Sequence, residues 1–123
     1  MQTALEQLDD LQQLIALALF ESISIKGWVL AKLMARYSPG GVGALDFHTR
    51  SSAGVSREMP ADDHLDRLTL LTMKHWRLTQ ELGLPRWYMM TVSLQASGKY
   101  AIDFEYRDDY QEGDIMKPLV EVD

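Results

Sequence analysis

The sequence predicts an α+β fold: an antiparallel β-sheet built from two hairpins, with two helices packed on one face, in the order α-β-β-α-β-β. Three observations carry that expectation. Two segments repeat apolar residues at helical spacing, and two others alternate apolar and polar residues on either side of a turn. Neither helix is placed to cross over between neighbouring parallel strands of a doubly wound sheet. With 123 residues, 46% hydrophobic and 24% charged, the composition fits one domain over residues 1–123 with one core. Such a chain buries roughly two-thirds of its unfolded surface, enough to be stable without staples.

The first helix is expected over about residues 3–22. Thr3 and Glu6 have the spacing of a capping box, in which hydroxyl and carboxylate each satisfy an orphan backbone donor. Leu5, Leu8, Leu11, Ile15 and Ala18 follow at helical spacing, and Gln7, Asp10, Gln12 and Gln13 fall largely on other faces. Ser22 to Gly27, rich in small and β-branched residues, predicts a stop and a turn. Trp28 to Tyr37 fits either helix or strand when taken alone, and its neighbours decide. Pro39-Gly40-Gly41 is a strong turn. After it Leu45 and Phe47 alternate with Asp46, His48 and Arg50, which reads as the second arm of a hairpin. Residues 51–60 read as a polar loop.

Pro60, Asp62 and Asp63 mark a second helix start, because proline suits a first turn and acids suit its positive dipole end. Leu68, Leu71, His75, Leu78 and Leu82 form one stripe, and Gly83 with Pro85 stops it. In the last hairpin Tyr88, Met90, Val92 and Leu94 alternate with Trp87, Met89, Thr91, Ser93 and Gln95. Ser97-Gly98 supplies the turn, and Tyr100, Ile102, Phe104 and Tyr106 then alternate with Lys99, Ala101, Asp103 and Glu105.

Charge and composition narrow the function classes. From residue 100 to the end there are eight acids and two bases, so the whole formal charge of −6 lies in the last fifth of the chain. That stretch, with an acidic tail from about residue 107, repels phosphates and attracts a basic partner, which disfavours direct nucleic-acid binding. The absence of cysteine removes disulfides, thiolate metal sites and cysteine nucleophiles, and suits a reducing compartment. The first residues lack the basic start of a secretory signal. The most apolar run, Leu11 to Phe20, has about half the roughly 20 residues a bilayer-crossing helix needs. Cytoplasmic localisation and no membrane partner are therefore expected.

Residue patterns for catalysis or metal binding are weak. None of His48, His64 and His75 stands in a ligand spacing such as HExxH. His64 and His75 lie roughly 16 Å apart along a helix, too far to share an ion. His75 reads as a hydrogen-bonded core or boundary residue, and the other two as surface residues. No GxSxG elbow is present, and Gly40-Gly41-Val42-Gly43 opens a strand with none of the lysine and hydroxyl that a phosphate loop needs. The tail Asp108 to Asp114 lacks the alternating order of a calcium loop. No catalytic residue, metal ligand or cofactor is expected. As a binding surface the acidic stretch has more content, since Asp103, Glu105, Asp108, Asp109, Glu112 and Asp114 can meet lysines and arginines. Tyr106 or Tyr110 supplies aromatic area there, although the alternation places Tyr106 inside.

Two segments carry a family resemblance. Trp87-Tyr88-Met89-Met90-Thr91-Val92-Ser93-Leu94, followed by Gly98-Lys99-Tyr100-Ala101-Ile102-Asp103-Phe104-Glu105-Tyr106, resembles the tryptophan-led strand and the "GKF-x-IDF-x-Y" strand of the YezG-like bacterial immunity (antitoxin) proteins. The helix-hairpin-helix order before them is similar too, so the resemblance covers about residues 1–114, with about twenty carrying its specific part. It implies a protein that binds and neutralises a toxin of a bacterial competition system of the contact-dependent inhibition type, often a nuclease, in the cytoplasm. It transfers no catalytic residue and no fixed contact motif.

The leading expectation is thus an immunity protein that blocks a basic, nuclease-like toxin domain with its acidic strand and tail. The alternative is a cytoplasmic secretion chaperone that binds an exported effector; it would be a dimer and expose an apolar surface over Leu11 to Phe20. An enzyme comes third, since it needs a concave site with perturbed titratable groups that a sequence does not show.

Overall fold

The structure, a computed structural model, describes residues 3–107. Helix α1 spans Ala4–Ser22, with Thr3 at its N-cap, where the Glu6 backbone N–H donates to the Thr3 hydroxyl at 3.2 Å. Strand β1 follows over Trp28–Tyr37, then β2 over Gly43–Ser51, β3 over Gly54–Ser56, helix α2 over Asp62–Glu81, β4 over Met89–Gln95 and β5 over Tyr100–Glu105. The strands form one antiparallel sheet in the order β3-β2-β1-β4-β5. None of the helices among the described residues is long and apolar enough to cross a membrane.

The α+β class and the helices on one face stand, but the order is helix, three strands, helix, two strands in place of two simple hairpins. The extra strand lies inside the expected polar loop, where Thr49, Arg50 and Ser51 pair with Ser56, Val55 and Gly54. Three residues are too few for an alternation to be read, so the strand is visible only once β2 is there to pair with it.

The ambiguous segment Trp28–Tyr37 is the central strand, flanked by β2 and β4. From Leu33 to Tyr37 the residues of both its faces are buried, so the burial there does not alternate and the sequence hides the period of two. Its odd-numbered residues Ala31, Leu33, Ala35 and Tyr37 face the helices. They form the core with Phe47, Met90, Val92 and Leu94 from the neighbouring strands and Ile15, Leu19, Leu68 and Trp76 from the helices. Gly43 starts β2 directly opposite Tyr37, where an added Cβ would collide with the tyrosine ring.

Helices α1 and α2 run antiparallel, since Glu21 pairs with Arg67 at 3.5 Å while Gln12 meets His75 at 3.4 Å further along. The buried face of α2 differs from the expected leucine stripe: Leu68 and His75 are buried, but Leu71, Leu78 and Leu82 are only half-buried, and Thr72, Trp76 and Thr79 take the innermost positions. Threonine can occupy them because its hydroxyl returns a hydrogen bond to its own helix, Thr72 to the Leu68 carbonyl at 2.9 Å and Thr79 to the Trp76 carbonyl at 2.6 Å. The Tyr37 hydroxyl adds a 2.7 Å bond with the Thr72 hydroxyl.

Candidate protein-binding site

The side of the sheet turned away from the helices holds the even-numbered residues of β1 and β2 and the odd-numbered residues of β4 and β5. In register from one edge inward, Asp103 stands opposite Thr91, which stands opposite Met34 and then Asp46. Glu105 stands opposite Met89, then Arg36 and Ala44. A third row runs from Ala101 through Ser93 and Lys32 to His48. Cations therefore gather on β1 and β2 as Lys32, Arg36 and Arg50, and the two carboxylates of β5 occupy the opposite edge. Arg36 bonds the Asp46 carboxylate at 3.2 Å, so one carboxylate inside the cationic half is already paired.

Of the residues expected to bind a partner, Asp103 and Glu105 are both exposed, side by side on this face of edge strand β5. Asp108, Asp109, Tyr110, Glu112 and Asp114 lie outside the described residues. Tyr106, placed inside by the alternation, is 57% exposed: it follows the end of β5 and lines a surface cavity with Phe104 and Leu84. Arg107 stacks on the Tyr88 ring, 5.7 Å from its centroid. Burial pushes the Tyr88 phenol pKa up, and the Glu105 carboxylate raises it further.

Two other expectations need correction. Trp87 was placed on the polar side of its strand but is buried, because the chain bends at Tyr88 before β4 begins at Met89, so the phase of the alternation changes there. Its ring sits edge-on to Tyr37 at 5.7 Å and against Phe104 at 5.8 Å. His48 was read as a surface residue. It lies on the face turned away from α1 and α2 as its alternation requires, yet it is 2% exposed, and Arg36 on the same face is 6% exposed. The sequence does not reveal the cationic half of this face, because Trp28–Tyr37 has no visible phase. The register with β2 is what puts Lys32 and Arg36 on the face of His48 and Arg50.

His75 is the hydrogen-bonded core residue its stripe predicted. Trp87 Nε1–H donates to its Nδ1 at 3.2 Å, its ring stacks on Phe104 at 5.3 Å, and desolvation lowers its pKa from 6.5 to about 4. At neutral pH it is an uncharged part of an aromatic cluster. Among the described residues no three His, Asp or Glu side chains converge as metal ligands do.

A second surface lies on the outside of the helix pair. A groove of about 580 Å³ runs between α1 and α2, with Leu11, Leu14, Leu70, Met73 and Leu78 along it and Lys74 and Arg77 at its rim. Leu14 is 41% exposed and Leu70 68% exposed, and Leu17 and Phe20 continue the exposed apolar side of α1. No family model matches the chain, and no curated protein matches it either.

Proposed function

We propose that the chain acts by binding another protein, as an immunity protein that neutralises a basic, nuclease-like toxin domain of a bacterial competition system, and not by catalysis. The observation that supports this reading most is the pair Asp103 and Glu105. They are exposed on an edge strand and face away from the helices, and they sit within the segment that resembles the YezG-like proteins. Two carboxylates on a rigid strand keep their spacing in the free protein, so little ordering entropy is lost when lysines or arginines of a partner meet them. The acids Asp108, Asp109, Glu112 and Asp114 and the ring of Tyr110 extend the same reading into the segment that follows. A groove that receives a nucleic-acid backbone is itself cationic, so this surface suits it as a competitor of the phosphates.

The test is a pull-down of the tagged full chain from its native cells at moderate salt, followed by mass spectrometry. One stoichiometric basic protein, released as salt rises, is the expected result. Recovery of no partner, or of several unrelated exported proteins, would remove the immunity reading. The second outcome belongs to the chaperone reading, which the exposed Leu14, Leu17 and Phe20 on α1 and the apolar groove beside them favour.

A further inference from the structure

Among the described residues strand β5 is an edge of the sheet. The Gln95 N–H donates to the Lys99 carbonyl at 2.8 Å, and Gln95 and Lys99 stand one step beyond the Leu94–Tyr100 partners, so they form a bonded pair. Bonded pairs recur every second residue of an antiparallel ladder. Ala101, Asp103 and Glu105 therefore turn their N–H and C=O groups toward β4, and Tyr100, Ile102 and Phe104 turn theirs outward. No described residue hydrogen-bonds those outward groups, and no described strand lies beyond β5. Two devices that blunt an edge are missing: the strand has no proline, and its register with β4 runs unbroken from Tyr100 to Glu105, so Asp103 and Glu105 are its main guard against indiscriminate pairing. The opposite edge, β3, is only three residues long and begins at Gly54.

We propose that β5 accepts one extended segment of a partner protein as a sixth, antiparallel strand, and that this segment alternates basic with apolar side chains. This deepens the protein-binding reading above and rests on it for the existence of a partner. Main-chain bonds to Tyr100, Ile102 and Phe104 supply the docking, and the side chains of both strands set its specificity. On the face turned away from α1 and α2 the added strand meets Asp103 and Glu105, which calls for lysine or arginine. On the other face it continues the row of Tyr100, Ile102 and Phe104. There a cavity of about 200 Å³, lined by Leu8, Gln12, Leu84, Phe104 and Tyr106, can receive an apolar side chain.

A second copy of this chain is the poorer occupant. Pairing β5 with β5 sets four carboxylates, Asp103 and Glu105 from each copy, along one short ladder beside only two Lys99 ammonium groups. It also joins two chains that each carry a formal charge of −6.

The experiment titrates the full-length chain with a synthetic eight-residue peptide of alternating lysine and valine, with an alternating glutamate–valine peptide as control. Amide NMR and hydrogen exchange are the readouts. The lysine peptide is expected to shift the amides of Tyr100, Ile102 and Phe104 and to slow their exchange at least about tenfold, and the glutamate peptide is expected to do neither. Tyr100→Pro should weaken lysine-peptide binding by about tenfold or more, since it removes an outward donor and blocks the edge. That variant should stay folded, because the Tyr100 N–H is not part of the β4 ladder. The double change Asp103→Lys and Glu105→Lys should transfer the preference to the glutamate peptide, an independent check should the proline variant misfold.

Three outcomes would each overturn the proposal. These are no response at the outward amides up to millimolar peptide, equal binding by Tyr100→Pro, and protection of the same amides by raising the protein concentration without peptide, which would assign the edge to a second copy. The two readings fail separately. A native partner still captured by Tyr100→Pro removes the edge proposal alone, and a wild-type chain that binds the lysine peptide but captures no native partner removes the immunity reading alone.

Discussion

The two faces of the sheet carry nearly the same number of side chains and follow opposite rules. On the helix side Ala31, Leu33, Ala35, Phe47, Met90, Val92 and Leu94 are sealed beneath α1 and α2, where the Tyr37 hydroxyl is hydrogen-bonded to Thr72 and the Trp87 indole to His75. On the other side Lys32, Arg36, Asp46, Arg50, Asp103 and Glu105 place charges on one face, and Arg36 bonds the Asp46 carboxylate. Substitutions on the first face should therefore appear in stability, and substitutions at the acidic edge of the second in binding. A single alternation along each strand produces both.

The largest effect expected is from Trp87→Ala. The ring is buried among Tyr37, His75 and Phe104, and its Nε1–H is the donor to His75 Nδ1. Truncation leaves a cavity and a buried acceptor without its donor, so urea unfolding should show a loss of about 4 kcal/mol. A loss below about 1 kcal/mol would mean that the aromatic cluster does not anchor the β4–β5 hairpin to α2.

Acid should damage the same face by another route. Burial holds the His75 pKa at about 4, against its ordinary 6.5 in an unfolded chain. Between those two values the unfolded state binds the extra proton and the folded state does not, so stability is complete above about pH 6.5 and falls as pH drops toward 4. The shift corresponds to about 3 kcal/mol when the window is fully crossed. Urea midpoints measured at steps from pH 7 to pH 4 should fall in the wild type, and His75→Gln should flatten the part of that fall due to the imidazole. An unchanged profile in the variant would assign the acid sensitivity to other groups.

How much of this was legible in the sequence follows from how many independent signals each element carried. β4 and β5 were readable because one face of each is apolar and the other polar, and Thr3 and Gly83 punctuate their helices through capping chemistry that acts within a few residues. Trp28–Tyr37 hid its period because a central strand is buried on both faces. α2 showed its leucines and concealed Thr72 and Thr79, whose burial depends on hydrogen bonds to the Leu68 and Trp76 carbonyls. At the candidate site the charges of Asp103 and Glu105 were plain, but the place of β5 at the edge of the described strands was not, because an edge is a property of the strand order and not of any one strand.

The smallest stability change belongs to the acidic edge, and it separates the two faces most sharply. Asp103→Asn with Glu105→Gln removes two charges from exposed positions while preserving side-chain shape, and neither carboxylate reaches the core cluster. The urea midpoint should stay within about 0.5 kcal/mol of the wild type. Binding of a basic partner should nonetheless weaken, and its salt dependence should become shallower, because each lost carboxylate removes an attraction that salt would otherwise screen. Isothermal titration of both proteins against the captured partner at two salt concentrations reads both quantities. If the double variant loses stability but keeps its affinity, the acids serve the fold and the binding surface lies elsewhere. If affinity falls at low salt and the two proteins converge at high salt, the edge carboxylates act through charge alone.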